Sequence, residues 1–301
     1  MHTRIYKKDD LMNEDVKTDI KETLLSGKNV VFPTETVYGI GANALSEKGI
    51  ENIYRVKGRP SDNPLIMHIG SREDLSTYAH ASMPYIKPIM DAFWPGPLTL
   101  VMNRKSTVPN KITGGLETVG IRLPSNDIAR TIINIAGVPI CAPSANISGR
   151  PSSTLFDHVM EDFDGAVDII IDGGKSEVGL ESTVLDVTRE TPVILRPGII
   201  TKAMIETIVG KVDLASHLRE DDVPKAPGMK YRHYAPSGRM TIVEGLDSKV
   251  TDYINKRIQT HLESKESVGV IATSDMAKRF KHAYVFDVGD KTSKTDIASN
   301  L

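Results

Sequence analysis

The chain has 301 residues, which at roughly 150 residues per domain predicts about two domains with cores of their own and excludes a small stapled peptide. Lys and Arg total 37 against 39 Asp and Glu, a net charge of −2, so no global positive field exists to hold nucleic acid and any RNA or nucleotide contact must be local. With 40% hydrophobic and 25% charged residues the composition is that of a globular chain, and the one cysteine, Cys141, excludes an internal disulfide and cysteine-rich zinc sites and fits a reducing, cytoplasmic compartment.

No run approaches the ~18 to 20 apolar residues of a membrane helix. The start of the chain has no apolar segment behind its charges, so neither export nor a membrane span is expected. Up to about residue 210 short β-branched runs alternate with amphipathic stretches, which predicts one α/β domain over 1–220. In chain order the pattern gives a helix at 14–25, a strand at 29–32, a helix at 49–56, and strands at 65–69, 98–102 and 119–123. A helix at 127–135, a strand at 138–142 and a helix at 154–163 follow, the last with Ser152 or Ser153 as its cap. Strands at 168–171, 183–187 and 193–195 complete the domain. Their irregular spacing predicts a twisted mixed sheet with flanking helices.

Residues 221–239 hold prolines, glycines and no apolar period, and read as a linker. Flexible spacers favour Gly, Ser or Glu, whereas this one carries Lys230-Tyr231-Arg232-His233-Tyr234 between Pro227 and Pro236. A stiffened segment tipped with aromatics and cations suits a lid over a filled site. Residues 240–301 read as a small Rossmann-like α/β domain, with a strand at 240–243, a helix at 247–262 and strands at 268–271 and 283–286. It ends on a helix within 292–301 and no following strand, which leaves truncation open.

Two nucleotide fingerprints fail on position. Gly39-Ile40-Gly41-Ala42-Asn43-Ala44 begins too far beyond the preceding strand for a dinucleotide turn, and in Gly174-Lys175-Ser176 the first glycine of a P-loop would fall on Ile169, inside a strand. Stronger signals are polar segments beside strands. Pro33-Thr34-Glu35-Thr36-Val37-Tyr38-Gly39 is too polar for a structural turn of its length. Arg55, Lys57 and Arg59 crowd a helix end, either as a solvated terminus complementing the dipole or as an anion site. Ala142 to Ser152 packs serines, asparagine and Arg150 before a helix, as a capping loop or as donors for phosphate or carboxylate. Arg122 lies within a strand and Arg196 at a strand end, while His68 alone reads as a satisfied, partly buried histidine.

Together the segments 33–39, Lys57-Gly58-Arg59, Trp94-Pro95-Gly96-Pro97-Leu98-Thr99, Val119 to Pro124, Ser144-Ala145-Asn146 and Ala226 to Pro236 closely resemble the YrdC-type threonylcarbamoyl-AMP synthases in their long form, with a linker and an extra C-terminal domain. The resemblance implies synthesis of threonylcarbamoyl-AMP and pyrophosphate from L-threonine, bicarbonate and ATP with Mg²⁺, for the threonylcarbamoyladenosine modification of tRNA. It implies ATP contacts at Arg59, Asn63, Thr118, Ser144, Ser152, Arg196 and His233 or Tyr234, and threonine contacts at Thr36, His68, Arg122, the Ala142 backbone and Ser182. Lys57 and Arg59 would act on the triphosphate, with Asn146 a further candidate. Arg122 is the natural partner of the substrate carboxylate, because a planar guanidinium can bind it bidentately. Downstream tRNA-modifying enzymes are the implied partners, together with a weak RNA contact. The rival readings are a double-stranded RNA-binding module of the same fold and a hydrogenase-maturation carbamoyltransferase domain, whose zinc fingers one cysteine cannot supply.

Overall fold

The apolar run at Val30 marks a strand of the core: Val30, Val31 and Phe32 are all fully buried, as in a strand covered on both faces. The computed structural model describes residues 2–215 and 238–301, in two units, Met1–Ala235 and Pro236–Leu301.

The strands of the larger unit are β1 (Arg4–Lys7), β2 (Val30–Pro33), β3 (Tyr38–Asn43), β4 (Ile66–His68), β5 (Ala79–His80), β6 (Leu98–Arg104), β7 (Thr118–Arg122), β8 (Ile140–Cys141), β9 (Ile169–Asp172), β10 (Thr183–Asp186), β11 (Val193–Arg196) and β12 (Asp213–Leu214). Its helices are α1 (Glu14–Leu25), α2 (Glu47–Lys57), α3 (Leu75–Tyr78), α4 (Ile86–Phe93), α5 (Asp127–Ala136), α6 (Phe156–Phe163) and α7 (Lys202–Val209). The strands form one sheet in the order β1-β9-β2-β3-β8-β4-β7-β6-β10-β11-β12, with β5 on β6. Pairs β4/β7 and β6/β10 are parallel, while β2/β3, β3/β8 and β6/β7 are antiparallel. This is the mixed sheet that the spacing predicts.

Side chains alternate across β2 because successive Cβ atoms point to opposite faces. Val30 and Phe32 pack with Ile20 and Leu24 of α1 and Ile128 and Ile132 of α5. Val31 joins the other core, with Tyr38, Ile50 and Ile53. Fully burying one such side chain stabilises the fold by about 1.5 to 3 kcal/mol.

Three sequence expectations are corrected. Residues 38–43 form β3, not the continuation of a polar loop; the loop shrinks to a turn in which Thr34 N–H and Oγ1 both donate to Val37 O. Glycine is what admits this strand, since a Cβ on Gly41 would lie 2.5 Å from Phe32 Cε1. Neither Ser152 nor Ser153 caps α6, whose N-cap is Leu155; Ser152 Oγ instead donates to Glu181 Oε1 at 2.9 Å. In the smaller unit residues 240–243 form no strand, and Met240 and Ile242 are exposed.

That unit contains α8 (Asp247–Glu263), β13 (Gly269–Ala272), α9 (Ser274–Ala277), β14 (Tyr284–Asp287) and α10 (Lys294–Asn300). The parallel pair β13/β14 packs around Ile258, Val270 and Phe280. No described helix is long and apolar enough to cross a membrane.

Candidate active site

The sheet order brings the ends of β4, β7 and β8 side by side. In register, His68 opposes Arg122 on one side and Ile140 on the other. The turn before β3 closes over them, with Gly39 bridging Ser144 in the loop after β8. The result is a cleft of about 540 Å³ lined by Thr36, Arg59, His68, Arg122, Ala142, Ser144, Ser182 and Arg196, and also by Thr34, Gly39 and Glu181.

At one end of this cleft Arg122 Nη1 donates to Thr36 Oγ1 at 3.0 Å, and Thr36 Oγ1 lies 2.7 Å from Thr34 Oγ1. Arg122 Nη2 stands 2.6 Å from Glu35 Oε1, with both side chains almost completely buried. The approach lies off the N–H direction, so this is an ion pair without a hydrogen bond. Arg122 Nε, both Glu35 oxygens and His68 Nδ1 likewise have no hydrogen-bond partner among the described residues. Burial, followed by the charge of Arg122, pushes the His68 imidazole down to about 3, so it is neutral at physiological pH. Ala142 N–H is already committed to Ile66 O at 3.2 Å, so a backbone contact there falls to its carbonyl. Ser182 Oγ is 2.8 Å from Thr99 Oγ1 and accepts from Arg196 Nη2 at 3.1 Å.

The remaining cations come from the end of α2. Gly58 ends that helix in the left-handed region, at φ 58°, which glycine adopts without penalty. Lys57, the last residue of the helix, is buried. Its Nζ donates to Ser144 O and, at 2.6 Å, to Asn146 O, and desolvation, then repulsion by Arg59, lowers its ammonium to about 7. Arg59 Nη2 donates to Pro64 O at 3.0 Å.

Eight of the sequence candidates thus share the cleft, and others stand just behind it. Lys57 and Asn146 back Ser144, whose Oγ donates to Asn146 Oδ1 at 2.7 Å. Asn63 backs Arg59, which reaches its carbonyl from Nε at 3.4 Å. Ser152 meets the cleft through Glu181. Thr118 sits apart, in a smaller cavity of about 270 Å³ that shares Ile66 with the main cleft. His233 and Tyr234 lie outside the described residues.

Glu35 and Glu181 were not among the sequence candidates. An acidic residue in a site for anions has the wrong sign for a ligand contact, and its use as a counter-ion shows only once the arginines are placed. The one available signal is adjacency, Glu35 beside Thr36 and Glu181 beside Ser182.

A cleft at the strand ends of a mixed α/β sheet, lined by Arg59, Arg122 and Arg196 with hydroxyls between them, defines a protein suited to small anionic ligands. The Sua5/YciO/YrdC family model, described as telomere recombination, matches residues 22–198, and the C-terminal domain of threonylcarbamoyl-AMP synthase matches residues 200–301. The threonylcarbamoyl-AMP synthase of Pyrococcus abyssi is 47% identical over 277 residues, 91% of this chain and 80% of the relative. That of Bacillus subtilis is 41% identical over 296 residues, 97% of this chain and 84% of the relative. The crystal structure of P. abyssi Sua5 complexed with L-threonine has a TM-score of 0.91 at 42% identity, covering 100% of this chain and 87% of that one. The chain belongs to the threonylcarbamoyl-AMP synthase family.

Proposed function

We propose that this chain is an ATP-using nucleotidyltransferase that makes threonylcarbamoyl-AMP from L-threonine, bicarbonate and ATP, releasing pyrophosphate. The carrying observation is the buried corner where Arg122 Nε and His68 Nδ1 have no partner among the described residues. Unsatisfied buried polar atoms of this kind, a guanidinium donor and an imidazole nitrogen, are rare without a ligand to meet them. The threonine carboxylate takes Arg122, while Thr36, Ser182, the Ala142 carbonyl and neutral His68 frame the rest of the amino acid.

The threonine amine forms a bond to the carbon of CO₂ with release of a proton, or to that of bicarbonate with loss of water, giving a carbamate. A carbamate oxygen attacks the α-phosphorus of ATP, the bond to the β-phosphate breaks, and pyrophosphate leaves. Arg59, Arg196 and Ser144 line the cleft where the triphosphate would lie, with Lys57, Asn63, Asn146 and Ser152 supporting them, while Thr118 would reach ATP only from its separate cavity. They position two anions and disperse charge on the leaving group. Among the described residues no group of three or more His, Cys, Asp or Glu could hold a metal. Mg²⁺ enters with ATP as part of the MgATP substrate, on phosphate oxygens and water and at most one or two carboxylates, as that ion prefers.

The product serves enzymes that transfer the threonylcarbamoyl group to tRNA, and direct RNA contact is weak and local, given the net charge of −2. A cytoplasmic setting suits the single, buried cysteine. The double-stranded RNA-binding alternative is not retained: Arg59, Arg122 and Arg196 line a cleft, whereas duplex RNA is contacted by shape across its exposed minor groove. The test is pyrophosphate release with threonine and bicarbonate omitted in turn. Both omissions should stop it, and equal release without threonine would overturn the reading.

A further inference from the structure

Glu181 stands between two groups assigned above to ATP. Ser152 Oγ donates to its Oε1 at 2.9 Å, and Arg196 Nη1 is ion-paired with its Oε2. The pair is largely buried, at 15% exposure for Glu181 and 11% for Arg196. The other edge of Arg196 is committed to Ser182: Nε and Nη2 donate to Ser182 O at 3.1 and 3.0 Å, and Nη2 to Ser182 Oγ at 3.1 Å. The Nη1 corner, facing Glu181, is where the guanidinium meets an exchangeable anion.

A guanidinium and a hydroxyl converging on two oxygens of one anion is also the donor set that receives a phosphate. We propose that Glu181 is an internal phosphate mimic, an exchangeable counter-ion that holds Arg196 and Ser152 in place in the unliganded enzyme and is displaced by the triphosphate when ATP binds. The proposal rests on the reading of Arg196 as an ATP contact.

Only the side chain of Glu181 needs to move. Gly198 packs close to its backbone, since an added Cβ there would lie 2.6 Å from Glu181 O and 2.6 Å from Thr183 N. Ser182 has ties of its own, Oγ to Thr99 Oγ1 and O to Arg196 Nε, so the proposal needs no movement of it when its neighbour swings aside. The exchange sets nucleotide affinity: ATP gains Arg196 only against a carboxylate already bound there. A residue that merely oriented Arg196 would have the opposite effect when removed.

The test is ATP binding to the full-length protein without threonine, by calorimetry, for the native chain, Glu181→Gln, Glu181→Ala, Arg196→Gln and the Glu181→Gln/Arg196→Gln double variant, with Mg²⁺ and with EDTA. Binding is compared near pH 6 and again about one pH unit lower, because Glu181 is among the groups that favour the Lys57 ammonium and its removal lowers that value further. Both Glu181 variants should bind ATP about tenfold more tightly, equivalent to about 1.4 kcal/mol, with or without Mg²⁺. The gain should vanish in the Arg196→Gln background, as a double-mutant cycle reads directly. Unchanged or weaker binding in both Glu181 variants overturns the proposal, and weakening confined to Mg²⁺ would make Glu181 a metal ligand instead. If Arg196→Gln alone leaves ATP affinity unchanged, the ATP reading of Arg196 fails, a separate outcome.

Discussion

Arg122 and Glu35 meet at 2.6 Å in the wall of the cleft, 5% and 2% exposed. The guanidinium is thus held against Thr36 on one side and a carboxylate on the other, and its Nε has no partner among the described residues. Removing one member of a buried pair leaves an uncompensated charge, at about 3 to 5 kcal/mol. Glu35→Gln should lower stability by that order in denaturant titrations. Saturating threonine should recover much of the loss, because its carboxylate supplies the missing anion. A ligand-induced rise in Tm no larger in Glu35→Gln than in the native chain would remove Arg122 as the carboxylate site.

Lys57 gives a pH dependence of defined sign. Its ammonium titrates at about 7 against an ordinary 10.5, mainly through desolvation. Between those values the unfolded chain binds more protons than the folded one, so stability rises with pH across that window. Below about 7 the penalty of the buried charge is fully present. Lys57→Met should flatten this slope in unfolding titrations. A triphosphate beside Lys57 favours the ammonium, so ATP binding between about pH 8 and 9 should take up a proton. Calorimetry in buffers of different ionisation enthalpy should show this uptake in the native chain and not in Lys57→Met.

Gly198 packs against the backbone of residues 181–183, and an alanine Cβ there would lie 2.6 Å from Glu181 O and 2.8 Å from Thr183 Oγ1. Gly198→Ala must push that segment, and overpacking of this kind destabilises by about 1 to 3 kcal/mol. Because Ser182 lies inside the displaced segment, threonine affinity should fall with stability. Gly238→Ala, with nothing among the described residues within 4 Å of its Cβ, is the neutral comparison. Equal behaviour of the two variants would mean that the 181–183 segment yields freely.

What the sequence makes legible is what local physics decides. Helix α1 runs over Glu14–Leu25 as its apolar period predicts, because Asn13 caps it by accepting from Asp15 N–H and the acidic first turn suits the dipole. Strand β3 is illegible because its glycines are poor strand formers alone. Its stability comes from β2 and β8, residues distant in the chain. The short helices α4 and α7 escape for a related reason, since eight residues give little periodicity and α4 carries Pro88 in its first turn. At the site, the arginines and hydroxyls are visible as residue types, while their counter-ions Glu35 and Glu181 acquire meaning only from the ion pairs.

His68 carries the last prediction. Its imidazole is pushed down to about 3, first by burial and then by Arg122, from an ordinary value of 6.5. The unfolded chain therefore binds more protons between about 3 and 6.5, so stability falls as pH drops through that window and is unaffected by this group above it. The stability difference between the native chain and His68→Gln should change steadily as pH falls from 6.5 toward 4, with the native chain losing more. Threonine binding has a second signature. A histidine titrating at its ordinary value would change threonine affinity around pH 6.5, whereas a neutral imidazole beside Arg122 leaves it flat from about pH 5.5 to 7.5. A step in threonine affinity near 6.5 that disappears in His68→Gln would show that the ring is charged in the cleft, and the neutral role assigned to it would have to be abandoned.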